Sequence, residues 1–132
     1  AGLKTIQTMG KIKSWKLLIS NGKYFNNKIK NLAKKYELKV NISGIESITS
    51  FKFISQNNLE YKTFISQEML KKNYLASNLI FLNIFHTAKV TDRYIELLDP
   101  VFKKIKSFQN GNNVRKFLKN GICHQTFERL ND

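Results

Sequence analysis

The spacing of the hydrophobic residues changes along this chain, and that change constrains the fold more than any other feature of the sequence. Residues 15–36 place apolar side chains three, four and seven positions apart, which is the period of an amphipathic helix. Residues 49–54 alternate polar and apolar side chains, as a strand with one buried face does. The helical spacing then returns in residues 61–72 and 87–108. Each element therefore has one apolar face to bury, which predicts helices packed on a sheet.

The order of these segments predicts the architecture. It is helix, helix, strand, strand, helix, strand, helix, with the third strand over residues 79–85. The predicted fold class is α+β, a small, largely antiparallel sheet of three to four strands covered by helices. Long helices are expected at the N-terminus, and a kinked helix near the C-terminus, because Pro100 cannot donate to the carbonyl of Glu96. Residues 109–113 are a predicted linker, residues 114–119 a short basic helix, and residues 121–132 an irregular tail.

Single residues predict how the helices begin and end. Ser14 is the predicted N-cap of the second helix and Thr87 that of the last one. Asn73 is the predicted C-terminal cap of the helix before it. Gly22 lies inside the second helix, where glycine costs about 1 kcal/mol relative to alanine. A close packing contact or a break is therefore expected at Gly22.

Length and cysteine content bound the class of protein. The 132 residues, 42% of them hydrophobic, suit one ordinary globular domain. The longest apolar stretch, residues 79–85, is far shorter than the roughly 18 residues of a membrane span. Residues 1–16 lack the apolar core of a signal peptide. The single cysteine, Cys123, excludes an internal disulfide framework and favours a reducing, cytoplasmic setting.

The charge balance has two interpretations. The chain has 23 basic and 9 acidic residues, a net charge of +14, which is typical of domains that bind nucleic acid or another anionic partner. Only Arg93, Arg115 and Arg129 carry the guanidinium fork that grips phosphates and reads bases. The other basic residues are lysines, which usually form a solvated face. A solvated surface is therefore the favoured interpretation, and a free-standing basic binding module the alternative.

The residues alone reveal no catalytic centre. The sequence contains neither of the common glycine-rich phosphate loops. His86, His124 and Cys123 lack the spacing of metal ligands, and the adjacent pair would point apart in extended backbone. The few carboxylates form no convincing acid–base pair. No catalytic, cofactor-binding or metal-binding residue is predicted, and His86 is expected to serve in packing or hydrogen bonding.

Four segments, taken together, resemble the class III pyridoxal-phosphate (PLP) aminotransferases, in the branch of glutamate-1-semialdehyde aminomutase. Residues 67–77 resemble that family's helix-to-strand passage, Q-E-M-x-x-x-G-x-L-A. Residues 85–87 are similar to its A-H-T turn, which precedes the last helix. Residues 43–53 are similar to its S-G…S-F-x-F strand pair, and residues 121–131 to a C-H-x-x-F-x-R-L-N ending. The resemblance covers nearly the whole chain.

The resemblance implies that this chain is a fragment of a longer enzyme. Residues 1–108 would be the small C-terminal domain of PLP fold type I, with residues 1–13 as the junction helix leaving a missing large domain, and residues 109–132 as linker, basic helix and tail. The cofactor lysine would lie in the large domain, so this chain alone would bind no cofactor and be inactive. The parent would be a homodimer. Without the large domain, Leu3, Ile6 and Met9 should be exposed and prone to association.

The resemblance also implies two residues near the substrate. Ser77 and Asn78 would lie in the loop that approaches it, although Asn78 fits the role of a simple turn residue equally well. In the aminomutase branch this loop is longer and carries an acidic residue, whereas residues 78–81 bring no carboxylate. This departure favours a different amine or keto substrate. Asn73 stands where the family usually has glycine. Asparagine can replace glycine there because it tolerates left-handed backbone angles.

Overall fold

The computed structural model describes residues 2–124, and within them the predicted order of elements is confirmed. A 3-10 helix follows the last α-helix. The elements are α1 Gly2–Ile12, α2 Ser14–Lys35, β1 Val40–Ile45, β2 Ile48–Phe53, α3 Asn58–Leu70, β3 Leu79–Phe81, α4 Ala88–Gln109 and the 3-10 helix Val114–Phe117. The fold is α+β with a small antiparallel sheet, as its hydrophobic periods predict. The predicted tail from residue 125 onward lies outside the described residues.

The sheet has three strands in the order β1-β2-β3, and every pair is antiparallel. Ile42 pairs with Phe51 and Ile48 pairs with Phe81, so β2 is the central strand. Phe51 and Phe53 alternate along β2 with more exposed neighbours and are both buried. One face of the sheet therefore packs on the helices.

Helices α2, α3 and α4 supply the rest of the core. The buried apolar side chains form one contiguous cluster, to which β2 and the 3-10 helix also contribute. Its fully buried large members include Ile29, Phe51, Tyr61, Ile65, Met69, Leu98, Phe102 and Ile105. Val114 of the 3-10 helix is buried in the same cluster. The domain boundary predicted at residue 108 stays a prediction, but the core continues past it.

Two aspartates of α4 tie that helix to α2. The Asp92 carboxylate accepts a hydrogen bond of 2.9 Å from the Tyr24 hydroxyl and lies 2.7 Å from Lys28 Nζ. Seven residues on, the Asp99 carboxylate lies 2.7 Å from both the Tyr36 hydroxyl and Lys35 Nζ. The two sets of contacts advance along both helices in the same sense, so α2 and α4 run side by side in one direction.

These contacts shift the carboxyl pKa values. The hydrogen bond from Lys28, followed by that from Tyr24, lowers the pKa of Asp92. Burial by itself would raise the pKa of Asp99, but the hydrogen bonds from Lys35 and Tyr36 outweigh it, and the net shift is downward. Both carboxylates are thus held in the charged form that the hydroxyl and ammonium donors require.

Gly22 marks a close contact between α2 and the sheet. A Cβ built on Gly22 would lie 1.9 Å from the carbonyl oxygen of Glu46, in the turn between β1 and β2. Helix α2 continues through this position without a break. Of the two outcomes expected for this glycine, the close packing contact is therefore the correct one.

The end of α3 confirms the cap predicted at Asn73. This residue has φ 63°, in the left-handed region. The amides of Asn73 and Tyr74 donate to the carbonyls of Leu70 and Met69, which is the Schellman pattern. The left-handed asparagine thus ends the helix and turns the chain toward β3.

The starts of α2 and α4 lack the side-chain caps that the sequence predicts. The prediction for Ser14 was wrong, because α2 begins at Ser14 itself after a left-handed Lys13. The buried Ser14 hydroxyl has no hydrogen-bond partner among the described residues. Thr87 does occupy the N-cap position of α4 with extended backbone, but its hydroxyl makes no capping hydrogen bond.

Two other elements differ from their predicted form. Strand β3 ends at Phe81, because Asn83 diverts the backbone into a turn in which its Oδ1 accepts the Phe85 amide at 2.8 Å. The predicted basic helix after residue 113 is the 3-10 helix of four residues. Helix α4 continues through Pro100 to Gln109, and the kink there stays a prediction.

Gly22→Ala should destabilise the domain by about 1–3 kcal/mol, because the new methyl group would displace the backbone at Glu46. The control is Gly10→Ala, since a Cβ at Gly10 in α1 meets nothing within 4 Å. That substitution should be neutral or stabilising by up to about 1 kcal/mol. Urea unfolding of the three proteins measures both effects, and equal free energies for the two variants would contradict the contact.

Asp99→Asn should lower the free energy of unfolding at pH 7 and make that free energy less dependent on pH in the acid range. Because the folded-state pKa of Asp99 lies below its unfolded value of about 3.9, the stabilisation is complete above that pH and is lost as pH falls through the lower folded pKa. The difference between the wild type and Asp99→Asn should therefore shrink below about pH 4. Glu96→Gln, at an exposed pair with Arg93, is the control and should change little.

Candidate functional site

The loop between α3 and β3 carries the two residues predicted to lie near a substrate. The Ser77 hydroxyl donates to Asn78 Oδ1 at 3.3 Å, and Asn78 Nδ2 donates to the Phe51 carbonyl at 3.1 Å. The Asn78 carbonyl in turn accepts the Phe51 amide at 3.0 Å. Asn78 thus extends the pairing of β2, and its amide group is committed to the sheet. These contacts support the turn role of Asn78, and the substrate role of both residues stays a prediction.

Ser77 and Asn78 line different pockets. Asn78 lies on a polar pocket of about 480 Å³ beside Lys52 and Lys62. Ser77 lies on an apolar pocket of about 330 Å³ between the α3–β3 loop, β3 and the first turns of α4. The structure therefore does not bring the two predicted residues to one pocket.

The apolar pocket has an aromatic wall. Phe25 of α2 and Tyr74 place their rings 6.0 and 5.8 Å from that of Tyr94. The Tyr94 hydroxyl is buried without a hydrogen-bond partner among the described residues, and burial raises the pKa of Tyr94 to about 12. His86 also lines the pocket, and its Nδ1 accepts the Asn83 amide at 3.1 Å. The sequence suggested hydrogen bonding for His86, but it gave no sign of this pocket.

The two pockets do not fit PLP. The apolar pocket is lined by no lysine, arginine or carboxylate, so it supplies neither an amine for a Schiff base nor a partner for a phosphate. The polar pocket has two lysines but no carboxylate to pair with a pyridine nitrogen. Over residues 2–124, no group of three metal-ligating side chains occurs. No helix in this part of the chain is long and apolar enough to cross a membrane.

Helix α1 presents an uncovered apolar stripe. Every side chain of α1 is exposed, and α1 packs beside α2. Leu3 is 71% and Ile6 is 68% exposed, and Met9 on the same stripe is also exposed. Trp15 continues the exposed apolar surface onto α2. The predicted exposure of Leu3, Ile6 and Met9 is thus confirmed, and an amphipathic helix of this kind is typical of a surface that packs against another part of a protein.

Comparison with known proteins bears on the fold. No protein-family model matches the sequence, and no curated protein matches it. The structure is similar to that of the FumI protein of Sphingopyxis sp. MTA144, solved in its PLP internal aldimine form, with a TM-score of 0.71 and 13% sequence identity. The match covers 87% of this chain and 28% of the FumI chain. The chain therefore has the fold of one part of a larger PLP-containing protein.

Leu3→Glu combined with Ile6→Glu should abolish self-association of this chain, because the stripe of α1 leaves large apolar side chains uncovered on one helix. Sedimentation velocity over a range of concentrations measures the effect. Gln7→Glu adds the same type of charge to α1 beside the stripe, and it should leave the association intact. A wild-type chain that stays monomeric at every concentration would contradict the expectation.

Proposed function

We propose that this chain is the small C-terminal domain of a PLP-dependent class III aminotransferase or aminomutase, similar to glutamate-1-semialdehyde aminomutase. In the parent enzyme it covers the active-site cleft and packs on the large cofactor-binding domain. The isolated chain is not catalytic. The parent is a cytoplasmic homodimer, a setting in keeping with the free thiol of Cys123.

One observation carries this proposal. The fold matches part of a PLP-containing protein over 87% of this chain, and that part is only 28% of the other chain. The motifs that resemble the family lie in the matching order along the sequence, from residues 43–53 to 85–87. Agreement of an ordered set of motifs with an independent comparison of folds supports the family beyond what 13% identity alone supports.

The residues of the chain fit a covering role. The stripe of Leu3, Ile6 and Met9 supplies an apolar surface for the large domain. Residues 1–13 form the junction with that domain in this proposal. The pockets lack the side chains that would hold the cofactor, so the carbon–nitrogen chemistry belongs to the large domain. A separate domain for the cofactor explains why the two pockets of the described residues carry no lysine–carboxylate pair.

The substrate differs from that of the aminomutase branch in this proposal. Residues 78–81 carry no carboxylate, and Asn78 uses its amide group to pair with β2. The loop therefore offers no acidic group to an amino or aldehyde function. A different amine or keto substrate agrees better with these residues.

The test is the native polypeptide that carries this sequence. It should be isolated from its own cells with an antibody against this chain, reduced with borohydride, digested and analysed by mass spectrometry. We expect a mass well above 15.4 kDa and a single pyridoxyl-lysine in a peptide outside this segment.

The control is the 132-residue chain mixed with PLP and reduced in the same way. Its exposed lysines should be modified partially and at scattered positions, and free lysine should compete with them. A native mass of 15.4 kDa, or one lysine of this chain modified completely in the native protein, would refute the proposal.

A further inference from the structure

The apolar pocket beside Ser77 is free of charge in a strongly basic chain. The sequence has 23 basic residues, yet none of them lines this pocket, and no carboxylate does either. Its wall consists of aliphatic and aromatic side chains with a few hydroxyl groups and one imidazole. An anionic or cationic ligand would therefore lose its hydration without gaining an oppositely charged partner, whereas an uncharged apolar ligand has little hydration to lose.

The pocket has the size of a small-molecule site. Its volume of about 330 Å³ lies at the lower end of the range of ligand pockets, roughly 300–1,000 Å³. It is about twice the ~150 Å³ of an apolar cavity that holds benzene. Leu75 at the pocket is 97% exposed, and Val90 is 44% exposed, so the apolar surface continues to the mouth. A short aliphatic chain would bury this surface.

His86 gives the pocket a hydrogen-bond donor of known tautomer. Its Nδ1 accepts the Asn83 amide at 3.1 Å and so carries no hydrogen, which places the ring proton on Nε2. The hydroxyl of Ser77 also lines the pocket, but it already donates to Asn78 Oδ1. An oxygen acceptor on the ligand would find its donor in the Nε2–H of His86, without any charge being needed.

We infer that this pocket binds an uncharged aliphatic molecule that carries a carbonyl or hydroxyl oxygen, with the alkyl part on the aromatic wall and the oxygen toward His86. The inference goes beyond the proposed function, because residues of this chain line the pocket and the proposed ligand is not the cofactor. It assigns His86, which the proposed function leaves unused, as the residue that orients the ligand.

The test titrates the isotopically labelled 132-residue chain with 2-octanone and follows the amide signals by NMR. We expect saturable shifts confined to the α3–β3 loop, β3 and the first turns of α4. Val90→Trp fills the pocket from an exposed position and should abolish these shifts. Leu70→Trp, on an exposed site of α3 outside the lining, is the control and should leave them unchanged.

Two further measurements distinguish oriented binding in this pocket from adsorption of the ligand to the protein surface. His86→Asn keeps an acceptor for the Asn83 amide but removes the Nε2 donor, so it should weaken binding of 2-octanone about fivefold. Octanoate has a similar alkyl chain with a charge, and it should bind the pocket more weakly than the ketone. Preferential binding of octanoate, or shifts spread over the lysine-rich helices, would overturn the inference. The absence of any saturable shift would also overturn it and leave the pocket as a seat for an apolar side chain of a protein.

Discussion

Contacts between aromatic rings hold the sheet to the helices, and the rest of the structure depends on them. The Phe53 ring lies 5.4 Å from the rings of both Phe102 and Tyr61, and the Phe51 ring lies 6.2 Å from that of Phe102. Side chains of this size bury large apolar areas and prefer the tilted and edge-on geometries found here. A small sheet is stabilised by packing its apolar face on helices, and these rings attach the central strand of this three-stranded sheet to α3 and α4.

The core does not bury all of the apolar side chains of the domain. The stripe on α1 and the mouth of the apolar pocket both remain uncovered, although the core beneath them is closed. The two aspartates of α4 tie that helix to α2, and α1 precedes α2 across the left-handed Lys13. A domain with a closed core and uncovered apolar surface agrees with the proposed role as one part of a larger protein.

The chemistry of the chain agrees with this arrangement. The two pockets described within residues 2–124 offer no lysine–carboxylate pair, and the fold is similar to part of a PLP-containing protein. Asp92 and Asp99, two of the carboxylates that make ion pairs, join α4 to α2. The polar group of Asn78 is likewise used to pair strands. These three polar side chains thus have structural roles, although a search of the sequence for catalytic or binding residues would consider them.

The sequence by itself determined the order of elements, the fold class and the exposed stripe of Leu3, Ile6 and Met9, because hydrophobic periods of 3.6 and 2 are local properties of the chain. It also determined the left-handed cap at Asn73. The failure of Ser14 as a cap was decided by tertiary structure, since a left-handed Lys13 and burial move its hydroxyl away from that role. Tertiary structure also decided the contact at Gly22 and the pocket beside His86. Both join residues that are far apart in the sequence, and these residues meet only through the packing of the elements.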